Sequence, residues 1–225
     1  WRNFGDEPTL IAKSLSGVPI VVDGNRHRGG MFLIDRFKPD IIIMDDAFQH
    51  RAIERDIDIV LINSQDNRSE HKLLPYGFLR EPWVGLKRAH VLIFTKTNLK
   101  KPAPFLLSMA RATKRPTIQS LLSVHNLISP EGDAEQTKEG QKAIALSAVG
   151  DPQGFIRTLE SEGVSVVEHI AFLDHHEYKQ ADINRIAERL NKTAAEIIIT
   201  TEKDMVKLQE LNLSKLQIYS LRVAF

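Results

Sequence analysis

Short runs of Ile, Val and Leu recur at residues 20–22, 41–44, 57–62, 91–95, 144–147, 164–168, 197–201 and 217–221. Their near-continuous apolar character predicts strands covered on both faces, because a half-exposed strand alternates apolar with polar. Between them lie helical segments over 8–15, over 154–162 (ended by Gly163) and over 182–190, the last with Ile183, Ile186, Ala187 and Leu190 on one stripe. Strand and helix in alternation predict an α/β fold. Periodicity weakens over 100–139, where Pro102, Pro104, Pro116 and Pro130 punctuate the chain and 132–142 is polar. A domain junction is expected there, and no internal repeat is visible.

Composition narrows the function classes. The 225 residues are 42% hydrophobic and 26% charged, as in an ordinary soluble globular protein. A formal net charge of +1 argues against a general nucleic-acid binder, whose surface is usually net basic. With no cysteine, disulfides, thiolate metal sites and a Cys nucleophile are excluded. No apolar stretch approaches the roughly 20 residues that span a bilayer. The chain opens on Trp1 and reaches a helical segment before its first strand, which predicts that its beginning lies elsewhere.

The candidate chemistry sits at segment ends. The run over 41–44 leads into Asp45-Asp46-Ala47-Phe48-Gln49-His50, so a buried strand is predicted to end in two carboxylates, an amide and an imidazole. Ligands bind at the carboxyl ends of parallel strands, and an acid there is how nucleotide-dependent enzymes hold Mg2+ beside phosphates; a plain polar loop is the alternative. Gly5-Asp6-Glu7-Pro8 puts two acids at a helix start, where capping alone accounts for them. Arg80-Glu81-Pro82 is either a surface turn or a phosphate- and metal-binding pair. Asp174-His175-His176 places two imidazoles beside a carboxylate that can orient them. Thr200-Thr201-Glu202-Lys203-Asp204 reads as helix capping by Thr201. Arg26-His27-Arg28 with Gly29-Gly30 is either a solvated turn or a site for one anionic group.

In this order GDEP, DDAFQH with RAIERDIDIVLI, LLPYGFLREP, KRAHVLIFTK, VGDPQGFIRTLESEGV, FLDHHEY and TTEKDMVKL resemble the tetraacyldisaccharide 4'-kinase (lipid A 4'-kinase) family over nearly the whole chain. The resemblance implies a P-loop kinase-like parallel-sheet core, here lacking its P-loop, over 1–117. A smaller C-terminal α/β domain with linker strands follows over 118–225. It implies ATP and Mg2+ as cofactors, and as substrate a lipid A disaccharide precursor, a tetraacyl glucosamine disaccharide 1-phosphate phosphorylated on its 4'-hydroxyl at the cytoplasmic face of the bacterial inner membrane. Asp6 is then the candidate base, paired with His175 across the domain cleft. Asp45, Asp46 and Glu81 manage Mg2+ and ATP phosphates, Arg80 touches phosphate, and Arg26, Gln49 and His50 face the sugar and its 1-phosphate.

Two departures from the family pattern matter. Ala47 stands where the family usually has Gly, which would be costly if that backbone needs positive φ. No G-x-x-x-x-G-K-[ST] occurs in the sequence, nor does the family's membrane-associated N-terminal helix, so the 225 residues are expected to be a fragment that does not turn over ATP alone and that exposes an unpaired sheet edge. Competing readings are a metal-dependent hydrolase gathering Asp45, Asp46, His50, Asp174 and His175, and a non-catalytic lipid-sugar binding protein.

Overall fold

The computed structural model describes residues 1–69, 71–214 and 216–225. In chain order its helices and strands are α1 (Asp6–Ser14), α2 (Arg26–Phe37), β1 (Ile59–Asn63), β2 (Val91–Thr95), α3 (Pro104–Thr113), β3 (Thr117–Gln119), β4 (Ser123–Ile128), β5 (Ala134–Glu135), β6 (Lys142–Ser147), α4 (Pro152–Ser161), β7 (Ser165–Ala171), α5 (Gln180–Lys192), β8 (Ile197–Thr201), α6 (Glu202–Leu208) and β9 (Ile218–Ala224), with a 3-10 turn over Trp83–Arg88. The fold is α/β, as its alternating elements predict. Two compact units form: Trp1–Val22 with Ser123–Ala224, and Asp23–Leu122 with Phe225. This corrects the expected division at 117/118. The N-terminal residues belong with the C-terminal unit because α1 packs on α6.

The larger unit holds a six-stranded sheet in the order β5-β4-β9-β8-β6-β7. Strands β9, β8, β6 and β7 run parallel, and β4 and β5 add antiparallel strands at one side. Ile144, Leu146 and Ile198 pack on one face with Ile183 and Ile186 of α5, while Ala143, Ala145, Ile197 and Ile199 pack on the other with Leu159 of α4. Both faces are covered, so the apolar runs are continuous. The predicted α5 stripe faces this core.

The smaller unit holds three parallel strands in the order β1-β2-β3. Ile62, Leu92 and Phe94 pack with Leu106 and Ala110 of α3, whereas Ile59 and Leu61 on the opposite side of β1 face solvent. The expectation of burial on both faces therefore fails for β1. It also fails at 20–22 and 41–44, which are not strands at all. Ile41 is 78% and Ile43 is 91% exposed, because no described strand lies beside them to complete a ladder. The residues read as a turn at 26–30 instead open α2, which Asn25 caps by accepting the Arg28 N–H.

Candidate functional site

In the larger unit, Gly5 adopts φ 91 at the N-cap of α1, a conformation open to glycine without the clash a Cβ would bring, and delivers Asp6 as the first helical residue. Asp6 is buried but is not the cap, so capping does not account for it. Its Oδ1 accepts the Glu7 N–H at 3.0 Å. Its Oδ2 lies 3.3 Å from His175 Nδ1 and 2.9 Å from Lys207 Nζ. Burial pushes the Asp6 carboxyl up, but the hydrogen bond and charge of Lys207, with Lys203 and His175, outweigh it and hold the group below its ordinary value.

His175 sits at φ 61, a left-handed backbone costing about 1–3 kcal/mol outside glycine, and its N–H donates to Asp174 Oδ1 at 3.0 Å. Lys203 lies 3.1 Å from Glu7 and 3.4 Å from Asp174. Burial lowers the proton affinity of Lys203, yet Glu7, Asp6 and Asp174 leave its pKa raised. His176 points elsewhere: it stacks on Phe172 at 4.3 Å, and its Nε2 lies 3.2 Å from Asp182 Oδ2. Of the tandem imidazoles, only His175 faces Asp6. The two were expected to meet across a domain cleft, whereas both belong to one compact unit.

Thr201 caps α6 by accepting the Asp204 N–H, as the motif predicts. Lys203 and Lys207 of the same motif carry no assignment in the sequence reading. Their i, i+4 spacing puts both on one helix face but does not mark Lys207 as buried.

In the smaller unit Asp45 and Asp46 lie in a turn, not at a strand end. The left-handed residue is Asp46, at φ 48; Ala47 is buried without positive φ, so its methyl group does not meet the strain a Gly would relieve. Asp46 forms a solvent-exposed ion pair with Arg80. Glu81 accepts from Arg88 at 2.8 Å and from Gln49 at 2.9 Å. Arg88, missed in the sequence, also lies over the Phe48 ring at 4.5 Å. Arg26 donates to the Asp23 carbonyl at 2.6 Å, and no hydrogen bond or ion pair among the described residues joins it to Gln49 or His50.

Among the described residues no group of three or more His, Cys, Asp or Glu forms a metal cage, so Asp45, Asp46 and Glu81 do not form one. A smaller donor set still fits Mg2+, which usually takes one or two carboxylates plus substrate phosphates. Asp45 is exposed and makes no hydrogen bond or ion pair among the described residues, and Asp46 stands beside it. Glu81 is already compensated by Arg88 and Gln49.

The family model for tetraacyldisaccharide-1-P 4'-kinase matches residues 1–225. The chain belongs to this family. A tetraacyldisaccharide 4'-kinase of Halothermothrix orenii is 35% identical over 94% of this chain and 59% of its own length, and one of Koribacter versatilis is 33% identical over 99% and 66%. A crystal structure of LpxK from Aquifex aeolicus in complex with ATP superposes at a TM-score of 0.70 with 31% identity, over 97% of this chain and 63% of that one. The chain thus spans about three fifths of the length of such tetraacyldisaccharide 4'-kinases. No helix among the described residues is long and apolar enough to cross a membrane.

Proposed function

We propose that these residues are the acceptor-activating and phosphate-handling parts of a lipid-sugar kinase that transfers the γ-phosphoryl group of ATP to the 4'-hydroxyl of a tetraacyl glucosamine disaccharide 1-phosphate. The observation that carries this reading is the approach of His175 Nδ1 to Asp6 Oδ2 at 3.3 Å, in a chain the family matches from end to end. An attacking alcohol must be oriented and must lose its proton, and a carboxylate–imidazole pair does both. Asp45 and Asp46 would hold Mg2+, which would neutralise charge building on the ATP phosphates. Arg80, which pairs with Asp46, would meet a phosphate oxygen. Glu81 holds Arg88 and Gln49 in place, and Gln49, His50 and Arg26 face the sugar and its 1-phosphate. The acyl chains of this acceptor call for a membrane surface, which the family resemblance makes the cytoplasmic face of the inner membrane.

No G-x-x-x-x-G-K-[ST] lies in the 225 residues, so transfer also requires a phosphate cradle from outside them. The test is phosphoryl transfer from γ-labelled ATP by the natural gene product containing these residues. Label should appear on the tetraacyl disaccharide 1-phosphate with Mg2+ and not on an acceptor lacking the 4'-hydroxyl. ATP hydrolysis indifferent to the acceptor would overturn the reading.

A further inference from the structure

Residues 71–80 of the smaller unit form a closed loop on a packed base. Leu73 and Leu79 meet in an isolated bridge. The Leu74 N–H donates to the Leu79 carbonyl at 3.1 Å, the Leu79 N–H to the Lys72 carbonyl at 3.0 Å and the Tyr76 N–H to the Leu73 carbonyl at 2.9 Å. At one end of the loop His71 stacks on Trp83 at 5.0 Å and meets the Phe105 ring edge-on at 5.3 Å, its Nε2 lying 3.2 Å from Asp66 Oδ2. At the other end Arg80 pairs with Asp46, and Glu81 with Arg88.

The tip of this loop is apolar and turned outward. Leu74 is 61%, Tyr76 84% and Phe78 76% exposed. Large apolar side chains gathered in water carry an unfavourable solvation free energy, and such patches mark binding surfaces. The exposure differs in kind from that of Ile41 and Ile43, which lie in a segment with no described strand beside it. Here the loop closes its own backbone hydrogen bonds, so what the tip offers a partner is side chains rather than a strand edge. Charge then selects the partner. Residues 71–80 hold Lys72 and Arg80 and no acid. Lys72 is exposed at the base of the loop, and Arg80 is exposed while paired with Asp46. A cation below an aliphatic and aromatic tip matches the layering of an anionic bilayer, with phosphates outside, acyl chains within and Tyr favoured at the boundary. The long Lys side chain can keep its ammonium at the headgroups while its stem follows the tip.

We propose that the 73–78 loop is a membrane-contacting tip, placing Leu74, Tyr76 and Phe78 in the acyl layer of an anionic phospholipid bilayer and Lys72 at its headgroups; this rests on the acylated acceptor of the kinase reading above. Arg80 and Glu81 follow the tip directly in the chain. Contact through the tip therefore brings this Arg-Glu pair to the surface in which an acylated acceptor is embedded.

The test places a Trp reporter in the natural gene product, Phe78→Trp, beside Ile118→Trp as a control at an exposed position of the same unit. Vesicles of phosphatidylcholine and phosphatidylglycerol with brominated acyl chains quench a Trp that enters the acyl layer. Phe78→Trp should gain quenching over wild type, and Ile118→Trp should not. The triple variant Leu74→Ser/Tyr76→Ser/Phe78→Ser should partition onto these vesicles about tenfold or more weakly than wild type. Lys72→Gln should weaken partition about fivefold, an effect that disappears on phosphatidylcholine alone. A reporter at 78 that brominated lipid leaves unquenched overturns the proposal. So does a reporter that acrylamide cannot reach without vesicles, since another part of the gene product then covers the tip. Loss of self-association in the triple variant with unchanged partition assigns the tip to a second copy and likewise overturns it. Reporter quenching needs no triple variant, so misfolding of that variant does not remove the test. A wild type that transfers phosphoryl groups while the reporter stays unquenched fails the proposal alone, whereas quenching without transfer fails the kinase reading alone.

Discussion

Lys207 Nζ stands 2.9 Å from Asp6 Oδ2, with 1% and 7% of the two side chains exposed. Removing one partner of such a pair strands the other charge. Lys207→Ala is expected to cost about 3–5 kcal/mol in urea unfolding, with much of the loss recovered in the double variant Asp6→Asn/Lys207→Met. A loss below about 0.5 kcal/mol would mean that water reaches the pair freely.

Acid should act through the same carboxylate. Burial raises the Asp6 pKa, but Lys207 and its neighbours leave it lowered; the backbone N–H of Lys179 and the His176 contact likewise outweigh burial at Asp182. A depressed carboxyl contributes stability that is present above its unfolded value of about 3.9 and is lost as pH falls through the lower folded value. Asp204, raised by burial, has the opposite sign: its contribution is present below the unfolded value and is lost as pH rises through the folded one. Tm measured from about pH 6 downward should fall less steeply in Asp6→Asn than in wild type, and equal slopes would contradict the Lys207–Asp6 coupling.

Glu81 is held against a glycine. A Cβ at Gly85 would stand 2.3 Å from Glu81 Oε2, so Gly85→Ala must displace the carboxylate from Arg88 and Gln49. Because the displaced group is the end of a flexible side chain, the stability cost should be about 1 kcal/mol or less. Mg-ATP affinity of the natural gene product should weaken several-fold in calorimetry. Unchanged affinity would remove Glu81 from the phosphate site.

The apolar residues of 41–43 behave as surface in this structure. Ile41→Lys with Ile43→Lys should change unfolding free energy by no more than about 0.5 kcal/mol while reducing self-association in analytical ultracentrifugation. A loss above about 2 kcal/mol would show that these side chains are buried in solution.

The contrast between 41–44 and β8 explains how far the sequence is legible. Both are Ile-rich runs ending in polar residues, and a run of this kind marks a strand only where neighbours complete its ladder and cover its faces. β8 has β6 and β9 beside it; 41–44 has no described strand. Helix α2 is not legible in the sequence because Gly29 and Gly30 sit inside it, each an unfavourable helix residue, and its N-cap Asn25 lies upstream of an Arg-rich stretch. Pro104 punctuates the weakly periodic junction and also occupies the first position of α3, where its missing N–H costs nothing. Asp6 and His175 could be singled out by motif position. Lys207 could not, since lysine is seldom buried and only the packing of α1 on α6 removes it from water.

The most direct measurement is phosphoryl transfer by the natural gene product from Mg-ATP to a tetraacyl disaccharide 1-phosphate, in wild type, Asp6→Ala and His175→Ala. Each variant should lose roughly 10²- to 10⁴-fold in kcat while remaining folded and binding ATP. Wild-type rates in either folded variant would contradict the dyad, and no transfer by a folded, ATP-binding wild type would contradict the acceptor.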